Sequence, residues 1–223
     1  MQPPFTAKDG DLSSLRRDYG HEREPLKEAG LPDCPFQFFD QWLQAAVDFP
    51  CLEPNAMTLA TALPNGVVNA RTVLLKFFNT KGFTFFTNKR STKAKEIHSN
   101  PHVALVFNWL ALERQVIVQG EAQELSFFEA SKYFLSRPRE SQLGAWVSNQ
   151  SETIPSRSIL ETRLRDLQRA FPVGKIPMPN QWGGYRVVPN RIEFWQGGSG
   201  RIHDRFEYTP DEDRLWTKRR LSP

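Results

Sequence analysis

The chain has 223 residues, 39% of them hydrophobic and 12% aromatic, which suits one domain with a substantial buried core. Its 29 Lys and Arg stand against 25 Asp and Glu, and the cations come in small groups scattered among aromatics rather than in one block. That distribution argues against a nucleic-acid binder, which carries a concentrated basic stripe, and suits small anionic ligands; no apolar run approaches the ~20 residues of a membrane helix.

Residues 1–30 are polar, charged and rich in Gly and Pro, without a signal-peptide core, and read as a mobile segment. The stretch "PFQFFDQWLQAAVDF" (35–49) sets Phe39, Trp42, Leu43 and Ala46 on one helical face. The pattern then changes to strands: 56–62, an Asn65-Gly66 hairpin signal, and runs at 67–78, 82–87, 103–109 and 114–122. Such an antiparallel meander closes most naturally into a barrel. Helices interrupt it at 91–99, with Ser91 as cap, and at 126–137, which opens with the capping-box pattern Ser126-x-x-Glu129 and stops at Pro138. A third, 159–171, has Leu160, Leu164, Leu167 and Phe171 on one face, and late strands follow at 184–196, 202–208 and 214–221. The expected architecture is mainly β with peripheral helices, one domain over residues 31–223. Cys34 and Cys51 form neither a CxxC pair nor a metal-ligand spacing, so no metal is expected, and they read as reduced thiols of a cytoplasmic protein.

Four stretches carry groups suited to chemistry. In "RTVLLK" (71–76), strand alternation sends Arg71 to one face and Lys76 to the other; alone, the pattern also describes two strand-end cations in water. In "TNKRSTKAKE" (87–96) a strand runs into a helix whose first turn holds Ser91, Thr92 and Lys93, a suitable phosphate site or an ordinary solvated cap. In "KYFLSRPRES" Tyr133 and Arg137 share a helical face with Ser141 beyond the proline, as a second phosphate clamp or as a plain helix end. In "FWQGGSGRIHDRF" (194–206) an extended backbone points Arg201, His203 and Arg205 to one side. Three such groups repel one another unless an anion or an electron-rich ring meets them, and a salt-bridge lattice with Asp204 is the structural alternative.

Taken together, "RTVLLK", "KAKEI", "ERQVIVQG", "SQLGAWVSNQS", "EFWQGG", "RIHDRF" and the terminal "RLSP" closely resemble the pyridoxine/pyridoxamine 5'-phosphate oxidases, from about Leu15 to Pro223. The resemblance implies an FMN-dependent split-barrel homodimer with flavin sites at the subunit interface. It would oxidise pyridoxine or pyridoxamine 5'-phosphate to pyridoxal 5'-phosphate with O2, releasing H2O2, and ammonia from the amine. Carried over residue by residue, it puts Arg71, Thr72, Val73, Leu74, Lys76, Phe86, Thr87, Thr92, Lys93, Gln115, Gln150, Ser151, Trp195 and Arg205 at FMN, some of them from the other subunit. Lys76, Tyr133, Arg137 and Ser141 would hold the substrate phosphate, and Arg201 and His203 would lie over its ring as the catalytic pair. Arg16 and Tyr19 belong to an N-terminal segment that closes over substrate. Thr92 stands where the family usually has Arg, a loss that Lys89 or Arg90 would have to offset; Phe86 replaces a common Tyr and Leu135 a common His. Competing expectations are a flavin or deazaflavin reductase on the same barrel, and a non-catalytic carrier of flavin or pyridoxal phosphate.

Overall fold

The computed structural model describes Leu15, residues 18–20 and residues 24–223. The first long element is α1 (Pro35–Asp48), which Pro35 can open because its missing amide would have no helical partner there. Beyond it run β1 (Ala56–Ala62), β2 (Val68–Leu74), β3 (Phe77–Asn79), β4 (Gly82–Asn88), α2 (Thr92–Ser99), β5 (His102–Trp109), β6 (Arg114–Glu124) and α3 (Phe127–Ser136). The chain finishes with α4 (Arg139–Val147), α5 (Ser158–Ala170), β7 (Trp182–Gln196), β8 (Asp204–Pro210) and β9 (Trp216–Arg220).

The strands form one antiparallel sheet in the order β2-β1-β5-β6-β7-β4-β3, with β8 added to β7 and β9 to β8. The 15-residue β7 is its spine. β6 runs along one edge of β7, while the other edge pairs with β4 through Trp182–Val187 and with β8 through Ile192–Gln196. The change of partner coincides with a bulge: the β6–β7 register slips between Gln119 and Gly120, opposite Pro189. Proline has no amide for the ladder, and a bulge bends its strand, so β7 can serve two neighbours in turn. Gly120 is required there, since a Cβ would lie 2.1 Å from the Val188 carbonyl oxygen.

The ends of the strand order meet again through the chain. β2 passes through Leu75 and Lys76 into β3, and the Lys76 amide donates to the Thr84 carbonyl of β4 at 2.9 Å. This closes the sheet into a split barrel, which α1 plugs. Phe39, fully buried, packs edge-on to Phe78, Phe83 and Phe107, and Phe38 lies 4.3 Å from Phe194 between ring centroids. A second core joins Ala130, Phe134, Leu143, Ile176 and Trp182, where α3 and α4 meet the start of β7.

The mainly-β expectation with peripheral helices holds, and Ser91 and the Ser126–Glu129 capping box sit at the predicted helix starts. Two local expectations are corrected. The run 67–78 is not one strand but breaks at Leu75–Lys76, where the chain turns from its pairing with β1 to its pairing with β4. Pro138 does not only end α3; it also stands at the N-cap of α4, because a residue without an amide suits a helix start as well as a stop. Among the described residues, no helix is long and apolar enough to cross a membrane.

Candidate functional site

The main cleft, about 860 Å³, opens where β2, the end of β4, α2, α3 and α4 meet. It brings together Arg71, Thr72, Val73, Leu74, Lys76, Phe86, Thr87, Lys93, Tyr133, Arg137, Ser141 and Gln150, all expected site residues. Arg71 and Lys76 therefore do not serve opposite faces. β2 is laddered only to β1, so the cleft meets its open edge and residues of both parities line it.

One group of side chains gathers around the start of α2. Ser91 caps that helix by accepting from the Ala94 amide, and this presents Lys93, only 9% exposed, toward β2 and β4. Its Nζ donates to Gln150 Oε1 at 3.1 Å and to Thr87 Oγ1 at 3.3 Å. Burial, and then repulsion from Arg71, push the Lys93 pKa down, while Glu96 acts to raise it. Arg71 bonds Thr61 Oγ1 at 2.6 Å and Glu96 Oε2 at 2.8 Å. Glu96 was not singled out from the sequence; its spacing from Lys93, i and i+3 on one helix, was the available signal. Thr92 is exposed and lies beside the cleft, with its amide donating to Ser151 Oγ at 3.2 Å. Lys89 Nζ is paired with Glu124 at 3.0 Å, and neither Lys89 nor Arg90 lines the cleft.

A second group forms on α3 and β7. Phe86 stacks on Tyr133 at 4.2 Å and on Trp182 at 5.1 Å between centroids, and the Arg137 guanidinium lies 5.0 Å over Trp182. This geometry suits a cation–π contact. Burial lowers the Arg137 pKa and raises that of Tyr133, and attraction between the two partly offsets both shifts. Arg137 Nη1 is buried with no hydrogen-bond partner. A buried guanidinium donor left unmet costs free energy, so the site fits an anion that is to be bound there. Trp182, also missed from sequence, lies nearly fifty residues from Arg137 along the chain, and no local pattern links them.

The remaining expected residues lie elsewhere. Among the described residues, the lining of the cleft includes none of Tyr19, Gln115, Trp195, Arg201, His203 and Arg205. Gln115, Trp195 and Arg205 are ladder partners across β6, β7 and β8 and form one row on one face. Arg205 donates to Glu193 at 2.8 Å and to the Ser222 carbonyl at 2.8 Å; the Glu193 hydrogen bond raises its pKa. The extended reading of 201–205 is corrected. Ser199–Arg201 form a 3-10 turn with Arg201 exposed at φ 65°, and β8 begins only at Asp204. Asp204 is buried and pairs with Arg220, not with Arg201 or Arg205. His203 Nδ1 accepts from the Gly198 amide at 3.1 Å, which makes Nε2 the protonated nitrogen of the neutral ring. Gly198 is needed in this tight return, since a Cβ would lie 2.0 Å from the Ile202 carbonyl oxygen. Tyr19 packs edge-on to Trp195 and His203 at 5.9 and 6.0 Å, and the Gly20 amide donates to Glu113 at 2.9 Å. Arg16 lies outside the described residues.

Comparison with known proteins accords with these features. A family profile described as pyridoxamine 5'-phosphate oxidase matches residues 43–169, and one described as the pyridoxine 5'-phosphate oxidase C-terminal dimerisation region matches residues 182–223. The pyridoxine/pyridoxamine 5'-phosphate oxidases of Crocosphaera subtropica and Rippkaea orientalis are 53% and 51% identical to this chain, each over 96% of it and 100% of the relative. Among solved structures, PhzG from Burkholderia lata 383, in complex with tetrahydrophenazine-1-carboxylic acid, superposes with a TM-score of 0.83 at 28% identity. The match covers 87% of this chain and 95% of that one. A pyridoxamine 5'-phosphate oxidase-related, FMN-binding protein from Nostoc punctiforme shares the fold, with a TM-score of 0.70 at 16% identity over 85% and 98% of the two chains.

Proposed function

Because the chain belongs to the pyridoxamine 5'-phosphate oxidase family, we propose that it oxidises pyridoxine 5'-phosphate or pyridoxamine 5'-phosphate to pyridoxal 5'-phosphate, using FMN. The observation that carries this reading is the buried, unmet Arg137 Nη1 in a cleft that also holds a separate Arg71–Lys93 group. Cofactor and substrate each carry a phosphate ester, and two distinct cationic groups answer two such anions. The donor set fits FMN: Lys93 and Arg71 suit its phosphate, with Thr87, Gln150 and Ser151 beside them, and residues 71–74 suit its ring system. Lys76, Tyr133, Arg137 and Ser141 suit the substrate phosphate, the first of these bordering both ligands.

Bound FMN supplies the two-electron acceptor that no side chain provides. The chain's own part is orientation and electrostatics. A phosphate held by Arg137 and a ring met by Arg201 and His203 are fixed at two points, which pre-organises the reacting carbon. His203, with Nδ1 taken by Gly198, serves as a hydrogen-bond donor through Nε2 rather than as a base in its neutral form. Arg201 offers positive charge where negative charge develops. The row Gln115–Trp195–Arg205 and the turn of Arg201 and His203 do not line their own subunit's cleft, which supports a homodimer in which they complete the partner's site. O2 as terminal acceptor, H2O2 as product, ammonia release from the amine and a cytoplasmic setting belong to the same reading.

The test is spectroscopic. The purified chain should be yellow, and pyridoxamine 5'-phosphate added without oxygen should bleach the flavin band. A colourless chain that takes up no FMN, or a flavin band that the substrate leaves unchanged, overturns the proposal.

A further inference from the structure

Behind the Arg71–Lys93 group stands a carboxylate with no surface of its own. Glu96 is 3% exposed, on the inward face of α2. Its Oε2 accepts from Thr61 Oγ1 of β1 at 2.6 Å and from Arg71 of β2 at 2.8 Å, and its Oε1 accepts from Asn69 Nδ2 of β2 at 2.6 Å. Burial would raise the Glu96 pKa, but these hydrogen bonds outweigh it and the net shift is downward, so the group is a carboxylate at neutral pH. Glu96 is not among the residues that line the cleft. We propose that Glu96 is the positioning residue of this anion site, fixing the Arg71 guanidinium toward α2 and balancing the charge of the Arg71–Lys93 pair. The inference rests on the reading of the cleft as an FMN site and assigns its phosphate end.

The physical need is plain. Two cations converge in a mostly buried place, and without a counter-charge they repel and lose hydration together. Arg71 stays charged in any case, so the strain falls on Lys93, whose amine can shed its proton. Among the described residues, only Arg71 and Glu96 act on Lys93 as charges; Thr87 from β4 and Gln150 from the segment after α4 face it as neutral acceptors. Among the described residues, Glu96 is thus the one negative charge acting to hold Lys93 as an ammonium before a ligand arrives. It leaves a net single positive charge waiting for a phosphate dianion, with the Arg71 fork already oriented, so little reorganisation remains on binding.

Glu96→Gln isolates the charge from the shape. The amide oxygen can take the Thr61 and Arg71 bonds, and an Asn69 flip satisfies the new NH2. The full-length chain, freed of flavin, is titrated with FMN and, separately, with riboflavin, following flavin fluorescence from pH 6 to 10. FMN affinity in Glu96→Gln should begin to fall at a pH at least one unit lower than in the parent chain, giving a tenfold or larger deficit at the alkaline end. The deficit should shrink toward pH 6, and riboflavin, which lacks the phosphate, should show no such change. Lys93→Arg in the Glu96→Gln background should remove the early decline, since arginine keeps its proton. An FMN profile identical to the parent's, or a loss equal at every pH, overturns the positioning role. A parent chain that binds no FMN at all overturns instead the reading of the cleft.

Discussion

The cleft and the β7–β8 ribbon both concentrate arginine, yet they differ in what answers the charge. On the ribbon and the β9 strand beside it, Arg191, Arg205 and Arg219 share two carboxylates, Glu193 and Glu207, whose side chains are each 5% exposed. In the cleft, among the described residues, Arg71, Lys76, Lys93 and Arg137 line a space with no carboxylate in its wall; behind it Glu96 alone answers Arg71 and Lys93, and one Arg137 guanidinium nitrogen has no partner. Buried charge must be paired or it costs free energy. A closed arginine network therefore marks architecture, whereas an open one marks a place completed by a ligand. Arg205 belongs to the closed kind even though it is proposed to reach FMN, so its guanidinium is held by Glu193 before any cofactor arrives. Arg201, between the two, is exposed in its turn and has its role only if that turn meets a cleft.

The sharpest way to break this contrast is Arg201→Ala. On the proposed reading turnover falls on the order of a hundredfold while flavin stays bound, as for loss of a transition-state donor; full turnover would remove the turn from the site. Next, Glu207→Ala should leave Arg191 and Arg219 without their shared carboxylate. Stability to urea should drop by about 2–4 kcal/mol, below the fully buried limit because both arginines reach water. If the loss is negligible, the ribbon network is ornamental. Arg137→Ala tests the open side: KM for the phosphorylated substrate should rise roughly ten- to hundredfold with kcat less affected, as for loss of charged hydrogen bonds to a phosphate. An unchanged KM would deny the unmet nitrogen its anion.

The mildest effect concerns another answered charge, the Glu129–Arg186 pair at 2.7 Å beside the cap of α3. Hydrogen bonds from Arg186 and then Ser126 depress the Glu129 pKa from 4.5 to about 2. A depressed carboxylate stabilises the fold above its ordinary pKa and ceases to do so as pH falls through the folded value. Glu129→Gln should therefore lower Tm slightly at pH 7, and the gap to the parent should close between about pH 4.5 and 2. A gap constant over that window would show that the charge contributes nothing.

How much of this was legible in the residues follows from the range of each interaction. The Ser91 cap, the Ser126–Glu129 box and the Asn65-Gly66 turn rest on contacts within a few residues, and all three stand where the sequence puts them. Tyr133 and Arg137 do reach the same cleft, but not as one helical face: α3 ends at Ser136 and Arg137 is its extended C-cap. The break at Leu75–Lys76 did not show, because β-prone residues flank it on both sides, Val73 and Leu74 before it and Phe77 and Phe78 after it, and the strand stops only where the chain changes partner from β1 to β4. α4 did not show, because a proline signals an end and a beginning equally well. The alternation of Arg201, His203 and Arg205 misled, since the glycines that precede them release the backbone from the very extension it assumed.

Residue order alone established most of the element types, the two side-chain caps, the apolar face of α1 and the family to which the chain belongs, because these depend on local periodicity and on motifs read in sequence. Only the folded chain decided which cations stand together, which carboxylate balances them and which donor is left without one. Glu96 meets Arg71 through the pairing of β1 with β2, and Arg137 meets Trp182 across nearly fifty residues of chain. Charge satisfaction is a property of burial and of long-range neighbours, and neither is set by the residues next door.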